Sequence, residues 1–183
     1  MPTPAKTSSA DLIEIGLALA TEGGPDAVTI AAVAQAAGVK GPSLYKHFAD
    51  RESLLTAIEI AVLYKLEAAL RKVTGRTPRQ RIIAMAHAYR DFGRAAPQRY
   101  GLVYRKNVAD EPALAEACLF SAEPLFEELE ASGLSPKRML PVSRTLVAFM
   151  HGFVTMEIAQ AFRLGGSLDE AFESGLATIL KDV

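Results

Sequence analysis

The chain has one cysteine, Cys118, and no tryptophan. A lone thiol excludes an internal disulfide and the common cysteine-rich zinc clusters, and it fits a reducing compartment. The three histidines, His47, His87 and His151, are scattered, so no paired metal-ligand spacing arises. Gly-rich phosphate loops and nucleophile elbows are missing as well. Cys118 lies in the apolar stretch EACLFS, where a thiol is a packing residue, and Glu128 and Glu130 sit on a charged face. These absences argue against an enzyme, and no catalytic residue, metal or cofactor is expected.

An excess of charge of one sign is also missing. The net charge is −1, so the whole chain carries no nucleic-acid signal. The opening MPTPAKTSSADL has no apolar signal core, so a cytoplasmic protein is expected. The most apolar run, TLVAFMHGFVTMEIAQAF, contains His151, Glu157 and Gln160, and reads as a buried helix rather than a membrane span. Alternating β-branched runs are scarce, while Ala, Leu, Glu and Arg dominate; the expected class is all-α.

Gly, Pro and capping residues divide the chain into about nine helices. The first spans Ser9 to Thr21 and is ended by EGGPDAV. Thr29 caps a second that stops at Gly38. The third is brief, Pro42 to Phe48. Asp50 caps a long fourth reaching Val73, and TGRTP follows as a seam. Thr77 and Pro78 open a fifth, running to Ala95. APQRYGLVYRK begins a short sixth, and DEPALAEACLFSAEPLFEELEASG makes a seventh, kinked or split at Pro124. Ser135 and Pro136 open an eighth reaching Leu164, bent near its start by Pro141, and Ser167 caps a ninth. The expected division is a first domain over 1–51 and a second over 52–183, with helix four, 50–73, bridging them.

The stretch TIAAVAQAAGVKGPSLYKHF holds the main functional signal. Gly38 falls where a helix must reverse, which a left-handed backbone does at little cost in glycine. Ala34 lets a second helix cross closely, and Val33, Ala37, Val39 and Leu44 close an apolar cluster beneath the turn. This is the spacing of a helix-turn-helix, a unit that holds one helix at a fixed angle for the DNA major groove. Gly41 and Pro42 start that second helix. Lys40, Ser43, Tyr45, Lys46 and His47 crowd its polar surface, while Leu44 and Phe48 point inward. Lys and Ser can read base edges, and Tyr, Lys and His can bind phosphates. Met1–Arg51 has four Lys/Arg against five Asp/Glu, so the reading rests on the turn rather than on charge.

With these residues in view, TIAAVAQAAGVKGPSLYKHFADRESLL resembles the DNA-binding region of TetR-family transcriptional regulators. The GV…LYKHF…L core carries the likeness, which covers about the first third of the chain. FMHGFVTMEIAQAF is similar to a C-terminal domain type named for a Trp-His-Gly motif, with Met150 in place of the Trp. The resemblance implies that Lys40, Gly41, Pro42, Ser43 and Tyr45 face bases or nearby backbone. It implies phosphate contacts from Thr29, Tyr45, His47 and Arg51. Ala31 occupies a place where some relatives carry a base-reading side chain, so direct readout would rest on Lys40, Ser43 and Tyr45. Lys6 could reach DNA from an N-terminal arm.

One recognition helix covers few base pairs, so a homodimer on a palindromic operator is expected. The eighth and ninth helices supply candidates for its interface: Phe149, Gly152, Phe153, Met156, Phe172, Leu176, Ile179 and Leu180. A helix apolar on several faces must be covered on several faces. For a small-molecule effector the candidates are Met85, Tyr89, Phe92, Tyr100, Tyr104, Phe120, Phe126 and His151, an apolar lining with few polar groups. From Arg71 to Lys106 ten Lys/Arg face only Asp91, and from Asn107 to Ser135 seven Asp/Glu face no Lys/Arg. The two segments either neutralise each other or make a basic mouth that permits an anionic effector. The expected protein is a ligand-released repressor; a DNA-binding dimer without an inducer, or an activator, is the alternative.

Overall fold

The computed structural model describes residues 7–105, 110–181 and 183. Its described residues form helices and no strands. By contacts the chain divides into two units, residues 1–65 with 96–118, and residues 66–95 with 119–183. The arm residue Lys6 lies outside the described residues.

In the first unit, α1 (Ser9–Ala27) is opened by a capping box between Ser8 and Asp11, which also holds the Asp11 carboxyl below its ordinary value. The helix passes the expected stop at Thr21. The chain leaves helical geometry only at Gly24, and Pro25 starts one further turn. Arg51 secures that turn, its Nε donating to the Val28 carbonyl at 2.7 Å and its Nη2 to the Pro25 carbonyl at 2.7 Å.

Helix α2 (Ile30–Ala36) begins at Thr29, whose hydroxyl accepts from the Ala32 amide. It ends in a Schellman pair, with the Gly38 amide on the Gln35 carbonyl and the Val39 amide on that of Ala34. Gly38 has φ +66, a region closed to most side chains. Helix α3 (Gly41–Leu44) is shorter than the expected Pro42–Phe48, because beyond Leu44 the chain continues as turns. The His47 and Phe48 amides both donate to the Leu44 carbonyl. Asp50 opens α4 (Arg51–Leu70) by accepting from the Ser53 amide at 2.8 Å. Leu12, Val28, Val33, Leu44, Leu54 and Ile58, each at most 1% exposed, form the core that backs α3. The short α6 (Pro97–Tyr100) packs on α1, and α7 (Pro112–Ala131) starts here and runs on without a break at Pro124.

In the second unit α5 (Pro78–Ala95), α8 (Pro136–Ile158) and α9 (Leu168–Ile179) pack together, joined by the ends of α4 and α7. Helix α8 continues through Pro141 but stops before the expected Leu164. Gln160 turns left-handed at φ 51, and the Ala161 amide closes the helix on the Met156 carbonyl. Gly175 lets α9 approach α8, since a Cβ there would stand 2.4 Å from the Phe149 ring. Phe149, Phe153, Phe162 and Phe172 form an aromatic cluster, with ring centroids 4.9–5.7 Å apart in the neighbouring pairs.

Candidate nucleic-acid interface

The turn at Gly38 fixes α3 against the core through Leu44, and the rest of α3 faces outward. Lys40, Pro42, Tyr45 and Lys46 are exposed, Tyr45 by 59%, and Gly41 and Ser43 are half-buried. A Cβ at Gly41 would meet nothing within 4 Å, so this glycine keeps the surface low rather than relieving a clash. Lys40 precedes the helix without a side-chain capping bond, and its carbonyl accepts from the Ser43 amide at 2.8 Å. The surface is therefore two ammonium groups, one phenol and one small hydroxyl around a helix start, suited to acidic oxygens and base acceptors.

Three expected contact residues have other duties. Thr29 spends its hydroxyl on the α2 cap. His47 shares a 2.8 Å hydrogen bond with the Ser9 hydroxyl at the start of α1. Arg51, expected on phosphate, also ties the fold: two of its nitrogens hold carbonyls at the end of α1, and the third lies 3.5 Å from Glu52. It ties α1 to α4. No local signal announces this role, because its partners stand far upstream in the sequence.

The effector candidates are divided between the units. Tyr100 and Tyr104 belong to the first, and Met85, Tyr89, Phe92, Phe120, Phe126 and His151 to the second. Met85, Tyr89 and Tyr100 are buried, and the others are half-buried apart from Tyr104, which is exposed. In the second unit the Tyr89 hydroxyl meets His151 Nδ1 at 3.4 Å, and burial pushes the His151 imidazole below its ordinary value. Two open clefts of the second unit, of about 410 Å³ at the α8–α9 connection and about 250 Å³ beside Lys137 and Ile179, are lined by other residues.

Several arginines of the basic segment end on carboxylates of the acidic one or on other partners within the second unit. Arg71 bonds Glu67 and Glu127 and approaches Glu123, and Arg81 donates to Glu128. Arg79 donates to the Leu180 carbonyl. Arg90 makes two bonds to Glu157, at 2.7 and 2.8 Å, and one to Asp169, with its guanidinium over the Phe153 and Phe172 rings. These bonds hold the Glu157 carboxyl below its ordinary range.

Several pair-forming candidates are likewise spent within the chain. Phe172, Leu176 and Leu180 are at most 1% exposed and Phe153 is 8% exposed, so they have no surface left to bury. Phe149, Gly152 and Ile179 are half-buried and Met156 is exposed. The outward residues on these helices include Thr145, Ala148, Thr155 and Met156 on α8, and Ser174, Ala177 and Thr178 on α9. Of these only Met156 was among the interface candidates; reading for apolar residues missed the rest, because small neutral side chains carry little hydropathy signal.

Two short helices on a left-handed turn, backed by an apolar core and turned cation-side out, define a helix-turn-helix DNA-binding protein. Comparison with known proteins agrees. Residues 12–58 match the family model described as bacterial regulatory proteins, tetR family, and residues 82–179 match a tetracyclin repressor-like C-terminal domain. An uncharacterized HTH-type transcriptional regulator of Mycobacterium tuberculosis is 32% identical over 157 residues, 85% of this chain and 72% of that protein. Among solved structures, a protein of unknown function from Rhodococcus sp. RHA1 superposes with TM-score 0.81 at 21% identity, over 100% of this chain and 99% of that one. A TetR from Acinetobacter baumannii solved with minocycline superposes with TM-score 0.70 at 24% identity, over 95% and 94% of the two chains. The chain belongs to the TetR family. It is a DNA-binding transcriptional regulator, and not an enzyme.

Proposed function

We propose that the protein is a cytoplasmic homodimeric repressor that grips a palindromic operator through α3 and lets go when a small molecule binds its C-terminal part. The observation that carries the reading is the outward tip of α3, where Lys40, Ser43, Tyr45 and Lys46 surround a helix start backed by buried Leu44. Lys40 and Ser43 read bases, and Tyr45 and Lys46 anchor phosphates. Gly41 and Pro42 bring backbone close to the groove. Thr29, His47 and Arg51 hold these groups in place. Residues 1–51 form the reading domain, and 52–183 the pairing and effector domain.

Two recognition tips about one helical turn of DNA apart, roughly 34–36 Å, need a twofold partner. The exposed small residues of α8 and α9 around Ala148, Met156 and Ala177 support that role, with Arg144 and Glu173 exposed one turn away. The minocycline-bound relative supports a small-molecule effector. An apolar effector is favoured, because Arg71, Arg81 and Arg90 of the basic segment already hold carboxylates.

The test is selection of an operator from random duplexes, followed by binding across salt concentrations and sedimentation of the free protein. The expected outcome is a palindromic site, affinity that falls steeply with salt, and a dimer. A strictly monomeric protein, or binding indifferent to salt, would reject the reading.

A further inference from the structure

We propose that in a pair of chains the α8–α9 connection of each copy seats Leu164 in a cleft at the far end of α8 and α9 on the other copy. This rests on the homodimer reading above and goes beyond it by fixing which ends of the two helix pairs meet. The residues involved all lie within the second unit.

Leu164 is 92% exposed on the connection between α8 and α9. The connection is held rather than slack. Two residues before Leu164, the Phe162 ring packs on Phe153 with centroids 4.9 Å apart. Three residues after it, the Ser167 hydroxyl caps α9 by accepting from the Glu170 amide at 3.2 Å. Gly165 and Gly166 add no side chain that could cover the leucine, and a Cβ at either would meet nothing within 4 Å. Seating this side chain in an apolar cleft removes its whole surface from water.

The opposite end of the helix pair carries a cleft of about 250 Å³ lined by Lys137, Arg138, Pro141, Val142, Thr145 and Ile179. Its walls are aliphatic and its rim is basic. Pro141, Thr145, Ala148, Gly152 and Met156 follow one another at three- and four-residue spacing, so they share one side of α8. Met156, at the end of that row, stands beside the connection with Leu164 and Ala171. Cleft and leucine therefore open on the same face, and Ala148 and Gly152 between them are small enough for a close approach.

Two chains packed face to face through α8 and α9 can be related by an axis along the helices, which joins like ends, or across them, which joins opposite ends. The charges decide. Within α8 and α9 the acids Glu157, Asp169, Glu170 and Glu173 all lie in the half nearer the connection, and Lys137, Arg138 and Arg144 all lie in the half nearer the cleft. Asp169 and Glu173 already meet Arg90 and His87, whereas Glu170, Lys137 and Arg144 form no ion pair among the described residues. Arg163, on the connection itself, runs against this pattern and is outnumbered. Joining like ends sets the three cations of one copy against those of the other. Joining opposite ends turns Arg144 toward Glu170 of the second copy and carries Leu164 to the cleft. One arrangement thus satisfies both shape and charge, and each contact occurs twice.

The test is oxidative cross-linking of full-length protein carrying Cys118→Ser, which removes the native thiol. Leu164→Cys and Val142→Cys chains are made in that background, mixed, allowed to exchange subunits and oxidised. A covalent dimer is expected in the mixture and from neither chain alone. In sedimentation, Leu164→Ala in the native chain should raise the dimer dissociation constant about tenfold or more, with the helical signal unchanged because the side chain is exposed. Arg144→Glu and Glu170→Arg should each weaken the dimer, and the double variant should recover most of the loss. If Cys118→Ser fails to fold, these native-chain variants still decide. Efficient cross-linking of Leu164→Cys with itself would show like ends meeting; it would overturn the proposal and leave the homodimer standing. An unchanged dissociation constant in Leu164→Ala, or additive losses in the charge swap, would do the same. A wild-type chain that stays monomeric at every concentration would remove both readings.

Discussion

The tip of α3 and the length of α5 use positive charge in opposite ways. Around α3 there are only two lysines, Lys40 and Lys46, and among the described residues no ion pair reaches either. The segment running through α5 is far more basic, yet Arg71, Arg81 and Arg90 all end on carboxylates of their own unit. Counting charge along the chain therefore points to the wrong place. What matters for a polyanion is charge left available at the surface. The two regions are also held differently, α3 by apolar burial beneath it and α5 by burial combined with ionic ties.

The largest effect should come from the second region. Arg90→Met removes the cation between Glu157 and Asp169 and leaves the mostly buried Glu157 uncompensated. A loss of about 3–5 kcal/mol is expected from chemical denaturation. The acid side of the stability curve should change with it. Arg90 depresses the Glu157 pKa below its ordinary 4.5, so this stabilisation is present above that value and lost as pH falls through the folded one. In Arg90→Met that acid-side loss should vanish. A pH-independent difference between the two proteins would contradict the pairing.

Next comes the apolar support of the first region. Leu44→Ala empties a fully buried position beneath α3 and should cost about 2–5 kcal/mol. Unlike Arg90→Met, it should also weaken operator binding in conditions where the protein remains folded, because it loosens the element that meets DNA. Equal operator affinity in the folded Leu44→Ala protein would detach α3 from recognition.

A milder pair compares the charges themselves. Lys46→Ala should lower the slope of log affinity against log salt by about 0.9 per protomer. Arg71→Gln, which removes a charge already held by Glu67 and Glu127, should leave that slope where it was. If both variants change it alike, the distinction between available and paired charge fails.

The fold was legible where its causes are local. Thr29, Gly38, Pro42, Ser135 and Ser167 mark helix ends through their own side chains or backbone, and these ends fall where they announce them. The family resemblance was legible for the same reason, since the turn and its apolar contacts lie within one short stretch. Partnerships between remote residues were not. The sequence offers Arg51 as a phosphate ligand, but its bonds to the carbonyls of Pro25 and Val28 become visible only in the fold. The apolar spacing of α9 predicts a sticky face, and nothing along the chain says that Phe172 already packs on His87 of α5 and Phe149 of α8, or that Leu176 is buried.

The smallest effect concerns His151, and it separates buried polarity from surface charge. Its ring is desolvated in the second unit and meets the Tyr89 hydroxyl, and burial depresses its pKa below the ordinary 6.5. Between the folded value and 6.5 the unfolded chain binds a proton that the folded chain refuses. Stability is therefore full above about pH 6.5 and declines as pH falls below it. His151→Gln keeps a polar side chain but cannot titrate, so its stability should stay flat through that window. The wild-type protein and the variant should converge there on acidification, as measured by thermal unfolding at closely spaced pH. Should the wild type instead gain stability as His151 protonates, the ring must face an acidic partner rather than an apolar wall, and Tyr89 would not be its defining contact.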